Sequence, residues 1–184
     1  MPFDVHVENI VASTSLNVKV PLGKLVSKQK EAEYEPEQFP GLVYRLSKPK
    51  AAALIFSSGK IVCTGARNIE DVKKVIKKVV SLIRKSGVKV PENYKIDIEN
   101  IVASAKIDAR VNLDKIAYNL EGSEYEPEQF PGLVYRLEDP KVAFLVFSSG
   151  KIVCTGARNI EDVHVAIKKI FNKIKEIGAL IKEK

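Results

Sequence analysis

Tryptophan is absent from this 184-residue chain, methionine occurs once, and cysteine and histidine occur twice each. Each shortage removes a class of function. The cysteines, Cys63 and Cys154, hold matching places in two copies of a strand-like Ile-Val-Cys-Thr run. That setting marks small buried hydrophobes over a disulfide or a metal site. The histidines, His6 and His164, do not repeat one another, and neither stands beside a Ser or Cys nucleophile signature. The Glu35/Glu37 pair lies in a Pro-flanked loop with no sign of an apolar pocket, and Gly59 and Gly65 flank a strand without forming a phosphate-binding loop. No stretch approaches the ~18 apolar residues of a membrane span. The start, Met-Pro-Phe-Asp-Val-His, lacks the basic residues and apolar run of a secretory signal. The expectation is a soluble cytoplasmic protein that is not an enzyme and needs no metal or cofactor.

What the chain has in abundance is itself. Glu8-Asn-Ile-Val-Ala-Ser13 returns as Glu99 to Ser104, Tyr34 to Leu46 returns as Tyr125 to Leu137, and Ser57 to Val72 returns as Ser148 to Val163, always 91 positions later. A period this long, in two copies only, suits neither a solenoid nor a stacked array. It predicts two equivalent halves, residues 1–91 and 92–184, related by a pseudo-twofold, acting on something close to twofold symmetric itself. The net charge of +7 is carried by the first half, which holds 16 Lys and Arg against 8 Asp and Glu; the second holds 14 against 15. A basic balance favours a polyanionic partner, weakly, because lysine-rich helices are often only solvated faces.

Each half is predicted to run β-α-β-β-β-β-α. An alternating strand opens it (Val5 to Ser13, Ile96 to Ser104). A short helix follows, with Leu22, Leu25 and Val26 on one stripe and Leu113, Ile116, Ala117 and Leu120 on its counterpart; Pro21 and Asn112 suit the helix starts. A short strand-like Glu33-Tyr-Glu comes next, then three strands set off by Pro40-Gly41, Pro49 and Ser58-Gly59. The last element is a long helix starting at Asn68 or Asn159 and ending at Gly87 or Gly178, with Val72, Val75, Ile76, Val79, Val80 and Ile83 opposite Lys73, Lys74, Lys77 and Lys78. Residues 88–94, with Pro91, form the linker. The fold class is therefore α+β, with about ten antiparallel strands and four helices on one side. Four helices cannot cover both faces of that much sheet. Yet the central strands are apolar on both faces, and an uncovered apolar surface usually marks an interaction site.

On that face Leu54 alternates with Phe56 and Ser58, Val62 with Lys60 and Thr64, and Asn9 with Val7, Val11 and Ser13, with Arg45 and Lys50 at the rim. Such a platform suits the minor groove of A·T-rich DNA. The groove offers hydrogen-bond acceptors that a few amide and hydroxyl groups can meet, phosphates for Lys and Arg, and base steps open to aromatic wedges.

The doubled Glu-Tyr-Glu-Pro-Glu-Gln-Phe-Pro-Gly-Leu-Val-Tyr-Arg-Leu and Ser-Ser-Gly-Lys-Ile-Val-Cys-Thr-Gly-Ala-Arg blocks resemble the TATA-box-binding protein family in its archaeal form, over essentially the whole chain. The resemblance implies a general transcription initiation factor with a saddle-shaped fold, whose curved concave sheet sits on double-stranded A·T-rich promoter DNA and whose helices lie on the convex face. It implies DNA-intercalating roles for Phe39, Phe56, Phe130 and Phe147. Base contacts are implied for Asn9, Asn100, Thr64, Thr155, Val11 and Val102, and on the same platform for Val62, Val153, Leu54 and Leu145. Phosphate contacts are implied for Arg45, Ser58, Lys60, Arg136, Ser149 and Lys151. The loops carrying Phe39 and Phe130 would be the stirrups, and Glu126 and Glu128 on the second would contact transcription factor B, with RNA polymerase recruited indirectly.

The chain departs from parts of the family at Gln38, where many eukaryotic relatives are basic, and at Lys182-Glu-Lys184, which is not the acidic tail of many archaeal ones. Phe144, out of phase with Phe147, is expected under the helices, and Phe171 sits on a helical apolar stripe, so neither is a wedge position. A scaffold that docks its apolar face on another protein, or a homodimer of the free protein through that face, stays open as an alternative. A substrate-binding module of a nucleic-acid-processing enzyme is disfavoured by the lack of an acid cluster or further domain.

Overall fold

The computed structural model describes residues 4–181, so the readings of the first three residues and of Lys182 to Lys184 lie outside it. The first repeat runs β1 (Val5–Ser15), α1 (Leu22–Val26), β2 (Ala32–Glu33), β3 (Leu42–Ser47), β4 (Lys50–Ile55), β5 (Lys60–Ala66) and α2 (Ile69–Lys85). The second runs β6 (Ile96–Lys106), β7 (Arg110–Val111), α3 (Leu113–Asn119), β8 (Leu133–Glu138), β9 (Lys141–Val146), β10 (Lys151–Ala157), α4 (Ile160–Ile177) and β11 (Leu180–Ile181). Nine strands follow the hydrogen-bonded order β2-β3-β4-β5-β1-β6-β10-β9-β8, and β7 and β11 form a separate pair. The class is α+β, with four helices and a large antiparallel sheet.

The chain forms two compact units, Asn9–Glu99 and the remainder, so each unit takes in the opening residues of the other repeat's first strand. Side chains tie these borrowed residues down. In the first unit the Ser13 hydroxyl donates to Glu99 Oε1 at 2.7 Å and Thr14 Oγ1 donates to the Lys95 carbonyl at 2.6 Å. In the second, the Ser104 hydroxyl donates to Glu8 Oε1 at 2.7 Å.

The long helices are built as their sequences dictate. Asn68 is extended, and its side-chain oxygen accepts the Asp71 N–H at 2.8 Å; Asn159 does the same for Asp162. Both caps satisfy one of the N–H groups that a helix start leaves unpaired. The valine and isoleucine stripe of α2 is fully buried, and α2 packs on β4 and β5 of its own unit, as α4 packs on β10. Under each helix one face of the strands is closed: Ala51, Ala53, Ile55, Ile61 and Cys63 in the first unit, Val142, Phe144, Val146, Ile152 and Cys154 in the second. The two cores trade volume between layers. Ala53 under α2 corresponds to Phe144 under α4, while Val75 on α2 corresponds to Ala166 on α4, and all four are 0% exposed. Phe144 lies in the core as its phase requires, stacked on Tyr135 at 6.5 Å, and Phe171 is half-buried on α4.

The second repeat departs from the first in two details. The counterpart of β2 shrinks to one bridge between Glu124 and Val134. Past α4, Gly178 adopts a left-handed conformation (φ 79°) that turns the chain back, so that Leu180 and Ile181 pair with Val111 and Arg110, and the Asn112 N–H reaches the Ala179 carbonyl at 2.8 Å. After the equivalent Gly87 the chain passes instead into the linker of residues 88–94.

Candidate nucleic-acid interface

The strand face opposite each helix pair is half-exposed and apolar along its middle. In the first unit, register aligns Val43, Leu54, Val62 and Ser13 in one row across β3, β4, β5 and β1, with Arg45, Ala52 and Thr64 in the row beside it. In the second, Val134, Leu145, Val153 and Ser104 form the matching row, and Arg136, Ala143, Thr155 and Val102 its neighbour. Every apolar residue of these rows is half-exposed, so the face has no intramolecular cover of its own.

One end of each face carries a phenylalanine pair. Phe39 and Phe56 meet edge to face with centroids 5.8 Å apart, and Phe130 and Phe147 do so at 6.0 Å, both at 68° between ring planes. Phe39 and Phe130 are 38% and 42% exposed, unusual for so large an apolar group. A turn delivers each of them: the N–H groups of Gln38 and Phe39 both donate to the Glu35 carbonyl, and those of Gln129 and Phe130 to the Glu126 carbonyl. Phe56 ends β4, where its N–H donates to the Lys60 carbonyl at 2.9 Å across the tight turn. Gly59 makes that turn possible (φ 93°), since a Cβ there would stand 2.5 Å from the Val18 carbonyl oxygen. The turn holds Ser58 and Lys60 exposed beside the ring pair, as Ser149 and Lys151 are in the second unit.

The polar groups of the face are organised around a β-bulge. Between β1 and β5 the pairing runs Ala12 with Cys63 and then Ile10 with Ala66, so β5 holds one residue more than its partner. The extra residue is Gly65, at φ 102°, whose N–H donates to Asn9 Oδ1 at 2.6 Å. Asn9 Nδ2 in turn donates to Thr64 Oγ1 at 3.1 Å. A reverse contact, Thr64 Oγ1 to Asn9 Oδ1, is longer at 3.5 Å and is the weaker of the two. The second unit repeats the arrangement: Gly156 N–H to Asn100 Oδ1 at 2.6 Å, and Asn100 Nδ2 to Thr155 Oγ1 at 3.0 Å. In each unit the hydroxyl makes only that long return contact, 3.5 Å from Thr64 and 3.4 Å from Thr155, and one of the two amide hydrogens of Asn9 and of Asn100 is left over.

Of the residues expected on the open face, Leu54, Val62, Thr64, Arg45 and their counterparts lie on these rows, whereas Ser13 and its counterpart Ser104 share a row but are buried at 7% and 8% exposure, because their hydroxyls are taken by Glu99 and Glu8. Glu126 and Glu128 are exposed on the loop before Phe130, off the sheet, as Glu35 and Glu37 are in the first unit. Gly65 and Gly156 were not singled out for the polar cluster, nor Gly41 and Gly132 for the ring pairs. A Cβ at Gly41 would stand 2.8 Å from Phe39 Cε1 and 3.0 Å from Phe56 Cε1, and Gly132 is equally close to Phe130 and Phe147. Their recurrence in both repeats was the available signal. The thiols of Cys63 and Cys154 lie on the helix-covered side, where burial pushes each up to about 11. Burial, with a smaller push from the Glu31 carboxylate, also raises the Tyr44 hydroxyl. Among the described residues no cluster of His, Cys, Asp and Glu could hold a metal, and no helix is long and apolar enough to cross a membrane.

The family model described as transcription factor TFIID (or TATA-binding protein, TBP) matches residues 4–86 and again residues 95–177, once for each repeat. The chain belongs to the TATA-binding protein family. A TATA-box-binding protein of Methanothermobacter thermautotrophicus is 51% identical over 177 residues, covering 96% of this chain and 98% of that one. One of Pyrobaculum islandicum is 49% identical over 175 residues, covering 95% and 88%. The solved structure of Methanococcus jannaschii TBP superposes with a TM-score of 0.88 at 51% identity, over 94% of this chain and 99% of that one. The TATA-binding protein family is one of transcription factors and not of enzymes, and its twice-matched model accounts for the duplication.

Proposed function

We propose that this chain is a general transcription initiation factor that binds a TATA box through the DNA minor groove. The observation that carries the reading is the twice-built open face, whose apolar rows bear at Asn9 and Asn100 an amide with its oxygen tied to a backbone N–H and its NH₂ beside Thr64 or Thr155. In the minor groove A·T pairs offer acceptors alone, whereas guanine adds an amino group that would meet these donors head-on. Val11, Val102, Leu54, Leu145, Val62 and Val153 would lie on the base edges. Arg45, Ser58, Lys60, Arg136, Ser149 and Lys151 would take phosphates, a sequence-independent and salt-dependent contribution. The exposed pairs Phe39/Phe56 and Phe130/Phe147 would wedge into base steps and bend the duplex, since unstacking a step lets the DNA cover more protein surface. Residues 1–91 and 92–184 would each serve one half of the site. Glu126 and Glu128 would engage transcription factor B, through which RNA polymerase is recruited, in the cytoplasm of an archaeal cell.

Replacing every T·A pair of the site by C·I tests the reading. Inosine keeps the minor-groove face of adenine and changes the major-groove face. Gel-shift affinity should survive this exchange and fall on a G·C duplex at the same salt; loss of binding to the inosine duplex would overturn minor-groove readout. Absence of binding to any duplex would favour the protein-scaffold alternative.

A further inference from the structure

We infer that Gly65 and Gly156 are specificity-determining positioning residues, which act by fixing the direction in which Asn9 and Asn100 point their amides. This rests on the minor-groove reading above and deepens it. An asparagine side chain is nearly symmetric in shape, with an acceptor at one end and two donors at the other, and either end can face outward unless a neighbour decides. Here the neighbour is a backbone N–H, which can only donate. At 2.6 Å from the Gly65 nitrogen, the facing atom must be Oδ1, and the NH₂ is forced to the other end. One of its hydrogens is taken by Thr64 Oγ1 at 3.1 Å. That bond uses the hydroxyl as an acceptor, and its own hydrogen makes only the long return contact to Oδ1 at 3.5 Å. The second unit reproduces both distances within 0.1 Å.

The N–H is available only because of the bulge. In a regular ladder it would be spent on a neighbouring strand, whereas the inserted residue of a bulge is left unpaired. Gly65 and Gly156 sit at φ 102° and 112°, which glycine adopts without the steric penalty of a Cβ. A Cβ at Gly65 would also stand 3.2 Å from Ala51 Cα. The glycines therefore do two things: they allow the extra residue, and the N–H that it frees sets the amide. A flipped amide would turn Oδ1 outward, where it would accept from the guanine amino group and repel the acceptors of A·T pairs. The side chains that touch DNA would be unchanged, and the preference would be lost.

The experiment removes the N–H and nothing else. Glycolic acid incorporated at 65 and 156 replaces each amide by an ester of nearly the same shape that cannot donate. Two measurements are made on this variant and on the unaltered protein. Nuclear Overhauser contacts in the free protein between the Asn9 NH₂ hydrogens and the Thr64 side chain should be strong in the unaltered protein and lost or averaged in the ester. The ratio of affinities for a TATA duplex and for one with two G·C replacements should fall roughly tenfold in the ester. A control, Gly65→Ala with Gly156→Ala, keeps both N–H groups at strained φ, so it should lower melting temperature and leave the ratio in place. Equal weakening on both duplexes, with the ratio unchanged, would overturn the inference by making the glycines merely structural. Retained contacts in the ester would overturn it as well. If the unaltered protein showed no A·T preference, the minor-groove reading would fall, while the nuclear Overhauser arm would still decide whether Gly65 sets the amide.

Discussion

Phe130, with 42% of its surface open to solvent, meets Phe147 edge to face at 6.0 Å, and Phe147 comes three positions after Phe144, which is sealed. Phe144 lies within β9 on its helix-covered side, and Phe147 follows the end of the strand and is half-exposed. Truncating a sealed phenylalanine leaves a cavity, at a typical cost of ~3–5 kcal/mol, whereas an exposed ring leaves none. Phe144→Ala is thus expected to destabilise by about that amount, and Phe130→Ala to leave the unfolding free energy from urea titration within about 1 kcal/mol of the unaltered protein while reducing DNA bending. A large loss of stability at Phe130 with binding retained would place it in the core.

The asparagine caps should be separable from the DNA chemistry. Asn68→Ala and Asn159→Ala each remove the acceptor for one helix N–H, expected to cost about 1 kcal/mol. Glycine at either position should cost only a few tenths. Equilibrium denaturation checks the order; an alanine variant as stable as the unaltered protein would show that the cap bond contributes nothing.

The paired thiols predict a pH dependence with a definite sign. Cys63 and Cys154 are pushed up to about 11 in the folded protein, from the ordinary 9.0. Between these values the unfolded chain gives up its thiol protons while the folded one keeps them, so stability must fall as pH rises through that window. The slope is at most ~1.4 kcal/mol per pH unit for each group. Below pH 9 both states hold the proton and the effect vanishes. Cys63→Ala with Cys154→Ala should be less stable at pH 7 but flatter between pH 9 and 11. Both thiols should resist maleimide at pH 8 until urea is added; rapid native labelling would contradict their burial.

Recruitment of transcription factor B should depend on the loop before Phe130. Glu126→Arg with Glu128→Arg reverses two exposed charges on a segment rigidified by Pro127, away from the apolar rows. Rim pairs of this kind contribute a modest ~0.2–1 kcal/mol each. The double change should weaken the ternary complex by up to about tenfold and leave binary DNA binding intact. Glu35→Arg with Glu37→Arg should matter less. Equal loss from both loops in a gel shift would mean that the partner does not distinguish the halves.

The order of elements and the two faces of each strand were legible because they depend on local periodicity: period two in Leu42 to Leu46, and 3.6 in Val72 to Ile83. The cap residues were legible for the same reason. What sequence reasoning did not reach is set by long-range register. The β7–β11 pair joins residues some seventy positions apart through a two-residue match too short to show as alternation. The bulge at Gly65 depends on which residue of β1 faces Cys63, and Glu99 and Glu8 find Ser13 and Ser104 only once separate strands are assembled. Wedge and base-contact roles came from family resemblance, because a phenylalanine in a strand looks the same whichever side it leaves.

The exchange of volume between Ala53 with Val75 and Phe144 with Ala166 has a consequence for how this chain can change. The two copies have kept their open faces almost letter for letter while their interiors have become different puzzles. A single substitution copied from one repeat into the other, Ala53→Phe or Phe144→Ala, would overfill or hollow out its new setting, although each residue is native one repeat away. Only an exchange of strand and helix together would be tolerated. The halves are duplicates toward the outside and separate solutions within, so drift beneath the helices is confined to coordinated steps while the surface stays a matched pair.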